Sequence, residues 1–266
     1  VEAYQLYLKG RHAAETLADW GTAMRYLQQA IARDPGYALA YVGLANYYWL
    51  ITDVLMSGSE SLPRAREAAE KALQLDPSLA EVHVWLGAVR WLYDRDYAAA
   101  RHEFQTALTM QPDSASAHEM NGWYLVASGQ IEEGLAASRR AVELDPLSPE
   151  INTALGFNLY FARRYEEAIK QLRTVVTIAP DYWWAHAWLR RAYARTGRFS
   201  EAVAELHPTQ RSQGAGYAEI ASALGRAYAD AGNRTEAIKV LTHLRERMHD
   251  EFVSGAFVAT IHVGLG

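Results

Sequence analysis

Residues 80–93, AEVHVWLGAVRWLY, place Val82, Trp85, Leu86, Val89 and Leu92 three or four positions apart. That spacing predicts an amphipathic helix. A short polar break, DRD, interrupts it, and YAAARHEFQTALTM then sets Ala100, Phe104, Ala107 and Leu108 on one face of a second helix. Two helices joined by so short a break form an antiparallel hairpin. The same pair of apolar patterns recurs along nearly the whole chain, and no segment alternates in the manner of a strand.

The hairpins are punctuated at a fixed interval. Pro35, Pro77, Pro112, Pro146 and Pro180 are separated by 42, 35, 34 and 34 residues. Proline lacks an N–H and restrains the residue before it, so each marks the end of one helix and the approach to the next. Small residues return at matched places: Gly87, Gly122 and Gly156 in first helices, and Ala65, Ala100, Ala168, Ala202 and Ala237 in second helices. Glycine in a helix interior costs up to about 1 kcal/mol. Its periodic use therefore predicts close contact between helices.

This pattern resembles the tetratricopeptide repeat, whose signature combines Leu-Gly, Tyr, Ala, Phe, Ala and Pro over about 34 residues. One period supplies Leu86-Gly87, Ala100, Phe104, Ala107 and Pro112, and a later one Leu224-Gly225, Tyr228, Gly232 and Ala237. The resemblance implies an all-α fold, a right-handed α-solenoid of stacked antiparallel hairpins. It divides residues 1–266 as a single array with repeats near 2–36, 37–78, 79–113, 114–147, 148–181, 182–215 and 216–250. An unpaired helix over 252–265 would open a truncated eighth repeat, packing through Phe252, Phe257 and Ile261 and leaving an apolar flank for dimerisation. Three departures are expected: an irregular helix in EAYQLYLKGRHAAETL, a longer loop around DVLMSGSES, and a short second helix before HPTQRSQGAG. The front of the chain and DPLSPEINTALGFNLYFARRYEEAI are similar to the C-terminal repeat arrays of bacterial multidomain signalling proteins. With Val at position 1 and an apolar pattern still running at HVGLG, the sequence reads as a piece of a longer protein.

Charge and composition narrow the functions. A net charge of −5 without long blocks of one sign gives no basic patch for nucleic acid. Cysteine is absent, which excludes disulfides and thiolate chemistry. No apolar run reaches the roughly 18 residues of a membrane span, and no leader is evident, so a cytoplasmic location is favoured. His83, His118 and His186 hold one place in repeats three, four and six, but stacked helices stand about 8–10 Å apart. Zinc needs nitrogen ligands near 2.0–2.1 Å, so the reading is packing rather than a metal site. Glu132-Glu133 and Glu166-Glu167 open second helices, where they favour the helix dipole. Adjacent helical residues do not face each other, so they make no catalytic pair. No phosphate loop or nucleophile motif is present. The chain does not read as an enzyme, and no cofactor is expected.

In the tetratricopeptide family the first helices line a concave groove. Alignment to that pattern implies inward places for Asn46, Trp49, Trp91, Trp123, Phe157, Tyr160, Trp188, Arg191, Arg195 and Arg226, with Trp85, Phe161 and Trp184 in the same helices. Aromatic and arginine residues favour binding hot spots. The Lys/Asn set of the family's carboxylate clamp is represented only by Asn46. The function implied is a protein–protein interaction module that binds a peptide or partner domain, with apolar places toward the middle and arginines toward the end. A small-ligand sensory domain and a structural or self-association scaffold for an upstream effector are the alternatives.

Overall fold

A computed structural model describes residues 1–15, 20–198, 201–202, 205, 217–248 and 253–266. Its helices are α1 (Glu2–Glu15), α2 (Trp20–Arg33), α3 (Ala38–Leu50), α4 (Gly58–Leu75), α5 (Ala80–Leu92), α6 (Tyr97–Met110) and α7 (Ala115–Ala127). They continue as α8 (Ile131–Leu144), α9 (Pro149–Phe161), α10 (Tyr165–Ile178), α11 (Trp183–Arg195), α12 (Tyr217–Asp230), α13 (Arg234–Arg247) and α14 (Gly255–Leu265). Among the described residues the one extended pairing is an isolated bridge between Thr52 and Met56. The fold is all-α, an α-solenoid of antiparallel hairpins. Among the described residues no helix is long and apolar enough to cross a membrane.

The chain forms two compact units, one of Val1–Thr52 with Met56–Pro146, the other of Leu147–Gly266 with Asp53–Leu55. In the first, α1 packs on α2, α3 on α4, α5 on α6 and α7 on α8, and α3, α5 and α7 stack side by side. In the second, α9 pairs with α10 and α12 with α13, while α11 packs on α9, α10 and α12.

Each turn between hairpins follows from its local sequence. Asp34 Oδ1 accepts from the Gly36 N–H, and Asp76 Oδ1 accepts from the Ser78 N–H and hydroxyl. These Asx turns precede the next first helix. Ser114 and Ser148 cap α7 and α9 by accepting from the Ala117 and Ile151 N–H groups. Pro149 fits the first position of α9, where its missing N–H has no intrahelical role.

The small residues sit where helices meet. Ala65, Ala100, Ala168, Ala202 and Ala237 are all buried. A Cβ added to Gly87 would stand 2.8 Å from Cε1 of the fully buried Phe104, and one on Gly122 would stand 2.9 Å from the Gly134 carbonyl oxygen. The periodic glycine is a seat for the second helix of the same hairpin. Phe104 joins Val84, Ala88, Trp91, Ala107, Met120 and Tyr124 in one core cluster. Fully burying such a side chain contributes about 1.5–3 kcal/mol.

Two departures differ from expectation. Residues 2–15 form a regular helix, with Ala3, Tyr7 and Ala14 buried. The insertion after α3 is a loop only over residues 51–57, because Gly58–Leu62 add a first turn and more to α4. Ser57 takes the N-cap place, its hydroxyl donates to Glu60, and the buried Ser61 hydroxyl lies 2.8 Å from that of Thr52. Residues 206–216, where the short sixth second helix and its link were expected, lie outside the described residues, as does Phe252.

Candidate binding surfaces on the first helices

The histidine place of the repeat has a polar role. Tyr41, His118 and His186 each donate to the carbonyl of the repeat-closing proline six residues earlier, Pro35, Pro112 and Pro180. His83 and Asn152 at this place reach across to the paired second helix, touching Glu103 at 2.7 Å and Gln171 at 2.8 Å, and His186 touches Glu205 at 2.9 Å. His83 and Asn152 therefore clasp the two helices of their hairpins, and His186 makes the same kind of clasp with Glu205. At His186 burial opposes the charged form, but donation to Glu205 and to the Pro180 carbonyl outweighs it and raises the pKa above the usual histidine value. Both ring nitrogens then donate, which only the protonated imidazole can do.

In the first unit, tryptophans of three first helices form one network. Trp49 of α3 meets Trp123 of α7 edge-to-face at 5.5 Å and Trp85 of α5 at 6.3 Å. Trp91 of α5 meets Trp123 at 5.9 Å and Tyr124 at 6.0 Å, both edge-to-face. These are favourable aromatic geometries, worth about 0.5–1.5 kcal/mol beyond area burial. Trp85 and Trp91 are each 5% exposed and belong to the core, whereas Trp49 and Trp123 are half-buried at its margin. Asn46 is also half-buried, and its side-chain oxygen is buried without a hydrogen bond. Trp49 and Trp123 are the ones that keep part of their rings accessible.

A separate cleft of about 640 Å³ opens between α3 and α4, lined by Tyr41, Leu44, Tyr48, Arg64, Glu67, Glu70 and Lys71 among others. Its two cations and two carboxylates balance, so it selects no charge.

The second unit is built differently. Phe157 and Trp188 are each 7% exposed and meet edge-to-face at 4.5 Å. Phe161 lies 4.6 Å from Phe157 and 5.6 Å from Trp188, yet remains 52% exposed. Tyr160 bridges Trp188 at 5.3 Å and Tyr165 at 5.4 Å. Arginines border this floor. The Arg191 guanidinium lies 4.1 Å from the Trp188 ring centre, and that of Arg195 lies 5.5 Å from the Tyr165 ring. From α12, Arg226 Nε donates to both carboxylate oxygens of Asp230 at 2.8 Å.

Electrostatics converge on Tyr160. Burial raises its pKa, while Arg195, Arg191 and Arg226 pull it back down. A hydrogen bond with Tyr165 holds the Arg195 guanidinium firmly charged. Arg191, Arg195, Arg226 and Asp230 thus gather around this aromatic floor. Tyr165 and Asp230 lie outside the first-helix alignment or were not singled out by it. Asp230 is legible as the i+4 partner of Arg226, whereas Tyr165 opens a second helix and no first-helix pattern reaches it.

Comparison with known proteins agrees with this architecture. Tetratricopeptide repeat family models match residues 88–149 and 119–182, 159–214 and 221–253, together more than half of the chain. Among curated proteins, the transcriptional regulator HilA of Salmonella typhimurium is 24% identical over 173 residues, 64% of this chain and 31% of HilA. Human superkiller complex protein 3 is 28% identical over 213 residues, 76% of this chain and 13% of that protein. The chain thus spans under a third of the length of either relative. Among solved structures, the human IFIT1 dimer with m7Gppp-AAAA has a TM-score of 0.75 at 15% identity, covering 92% of this chain and 58% of that one. Cut9 with Hcn1 from the APC/C gives 0.65 at 15% identity over 100% of this chain and 46% of that one. At such identities the likeness is one of fold. The repeated hairpins, their glycine seats and these matches lead to one conclusion: the chain belongs to the tetratricopeptide repeat family.

Proposed function

We propose that this chain is a protein-interaction module that receives a peptide or partner domain on the aromatic faces of its first helices, as part of a larger regulatory protein. Tetratricopeptide repeats indicate a protein-interaction scaffold, and the family is in general non-enzymatic. The observation that carries the finer reading is Phe161: a large ring, half exposed, packed against Phe157, Tyr160 and Trp188, the last of which also carries the Arg191 guanidinium. Exposed apolar surface rimmed by polar groups marks interaction sites. The similarity to a transcriptional regulator supports the regulatory setting.

Retention experiments test the reading. The immobilised chain, its Phe161→Ala and Trp123→Ala variants, and a Lys170→Gln control on α10 are exposed to the same mixture of cellular proteins. A protein held by the wild type and the control but lost from a first-helix variant of unchanged melting temperature is the expected result. Equal retention by all four counts against it.

A further inference from the structure

We propose that the cleft between α3 and α4 binds a small neutral sugar, stacked on Tyr41 and Tyr48 and hydrogen-bonded by the charged residues of α4. This site is separate from the partner surface. Tyr48 and Trp49 are neighbours in sequence, so their side chains leave α3 in different directions.

The cleft exists because one hairpin lacks its clasp. Nine residues before the closing proline, two second helices carry the partner of the clasp, Glu103 before Pro112 and Gln171 before Pro180. Nine residues before Pro77 stands Ala68, which is buried and offers no polar group to Tyr41. The Tyr41 hydroxyl donates to the Pro35 carbonyl instead. A cavity of about 640 Å³ remains between the two helices, within the range of about 300–1,000 Å³ typical of small-ligand sites.

The two walls differ in chemistry. Tyr41, Leu44 and Tyr48 are spaced three and four apart, so they share one face of α3, and all are half-buried. Opposite them α4 presents Arg64, Glu67, Glu70 and Lys71, all exposed. Among the described residues these four make no hydrogen bond or ion pair, although Glu67 and Lys71 are one turn apart. Arg64 has a contact of another kind, its guanidinium lying 5.9 Å from the centre of the Tyr48 ring.

That combination selects the class of ligand. A purely apolar molecule would cover charged groups without giving them partners, which burial penalises. A molecule of one charge would meet repulsion as well as attraction, because cations flank the two carboxylates on this wall. A sugar hydroxyl both donates and accepts. A ring bearing several therefore satisfies carboxylates and cations together, through charge-assisted bonds. Its C–H face in turn meets the negative face of a tyrosine ring.

Saturation-transfer difference NMR on the whole chain tests this, with cellobiose, lactose and maltose as neutral probes. Glucuronate and glucosamine are the charged counterparts, and adenosine is an aromatic one. At least one neutral disaccharide should receive saturation on its ring C–H protons. Its affinity should fall about tenfold in Tyr48→Leu, the scale of one lost stacking contact. Glu67→Ala should weaken it by about the same factor, through a lost bond to a charged group. Ala68→Gln, which supplies the residue type of Gln171, should close the cleft and abolish binding, whereas Lys170→Gln on α10 should change nothing. Circular dichroism and melting curves establish that each variant is folded, and the exposed Glu67 serves where Tyr48→Leu or Ala68→Gln is not. Glucuronate or glucosamine binding as well as the neutral sugars would overturn the assignment to a neutral ligand. Adenosine binding in their place, and losing affinity in Tyr48→Leu, would overturn it in favour of an aromatic ligand. Sugar binding that is insensitive to the cleft variants lies elsewhere and overturns it, as does no saturation transfer to any sugar.

Discussion

The Arg191 guanidinium lies 4.1 Å from the centre of the Trp188 ring, whose edge relation to Phe157 is closed at 4.5 Å. One ring thus supports both the core and the charged border of the second unit. Replacing each partner should separate the two tasks. Trp188→Ala removes a buried indole and is expected to cost about 3–5 kcal/mol in chemical denaturation. Arg191→Ala is expected to cost about 1 kcal/mol or less of stability, the scale of one cation–π contact, while weakening partner binding.

Gly87 against Phe104 gives a steric prediction. The nearest ring atoms would lie 2.8 and 3.0 Å from an added Cβ. Phe104 is fully buried and has no room to yield. Gly87→Leu should lower stability by about 1–3 kcal/mol or more, read as a fall in the denaturation midpoint. Gly129 is a contrast: nothing lies near its Cβ position, but φ is +85°. Alanine there should cost about 1–2 kcal/mol through backbone strain alone.

The clasp at His186 predicts a pH dependence. Its folded pKa is raised above the 6.5 of an ordinary histidine, since hydrogen bonds to Glu205 and Pro180 overcome the opposing effect of burial. A raised folded pKa stabilises fully below the unfolded value and loses that contribution as pH climbs through the folded one. His186→Asn supplies the residue that Asn152 already places in this register. The stability gap between wild type and variant should be larger near about pH 5.5 than near about pH 8. A gap that grows toward alkaline pH would contradict the charged clasp.

Hydrophobic periodicity and proline spacing made the hairpins legible, because each repeat buries the same places for the same reason. Gly87 could be read as a close contact, but not its neighbour Phe104's ring orientation. The candidate site was less legible. Trp49, Trp91 and Trp123 share helical spacing, yet Trp91 is enclosed between α6 and α7 whereas Trp49 and Trp123 keep an open side. Sequence register gives the direction of a side chain; how much of it the next helix covers depends on the local crossing. Likewise Phe161 stays exposed although it neighbours the buried Phe157 by one helical turn. Tyr165 reaches Arg195 from α10, a contact that exists only once α11 has packed on the preceding hairpin.

The terminal helix α14 is held through Ile261, fully buried against Gly225, and through the Ser222 hydroxyl donating to the Phe257 carbonyl at 2.8 Å. Ile261→Ala should remove about 2–5 kcal/mol of packing. Because α14 packs on α12 and α13, the loss should show first as faster amide exchange in 255–265, before α9 to α11 respond. Exchange unchanged in α14 would mean that other contacts hold it.

The most direct test of a first-helix binding surface is an amide-exchange footprint of the chain with and without its retained partner. The account predicts added protection within 157–161 and 188–195, with the solvent-facing turns of α10 unchanged. Protection confined to α10 or α13, with those first-helix segments exchanging as before, would contradict it.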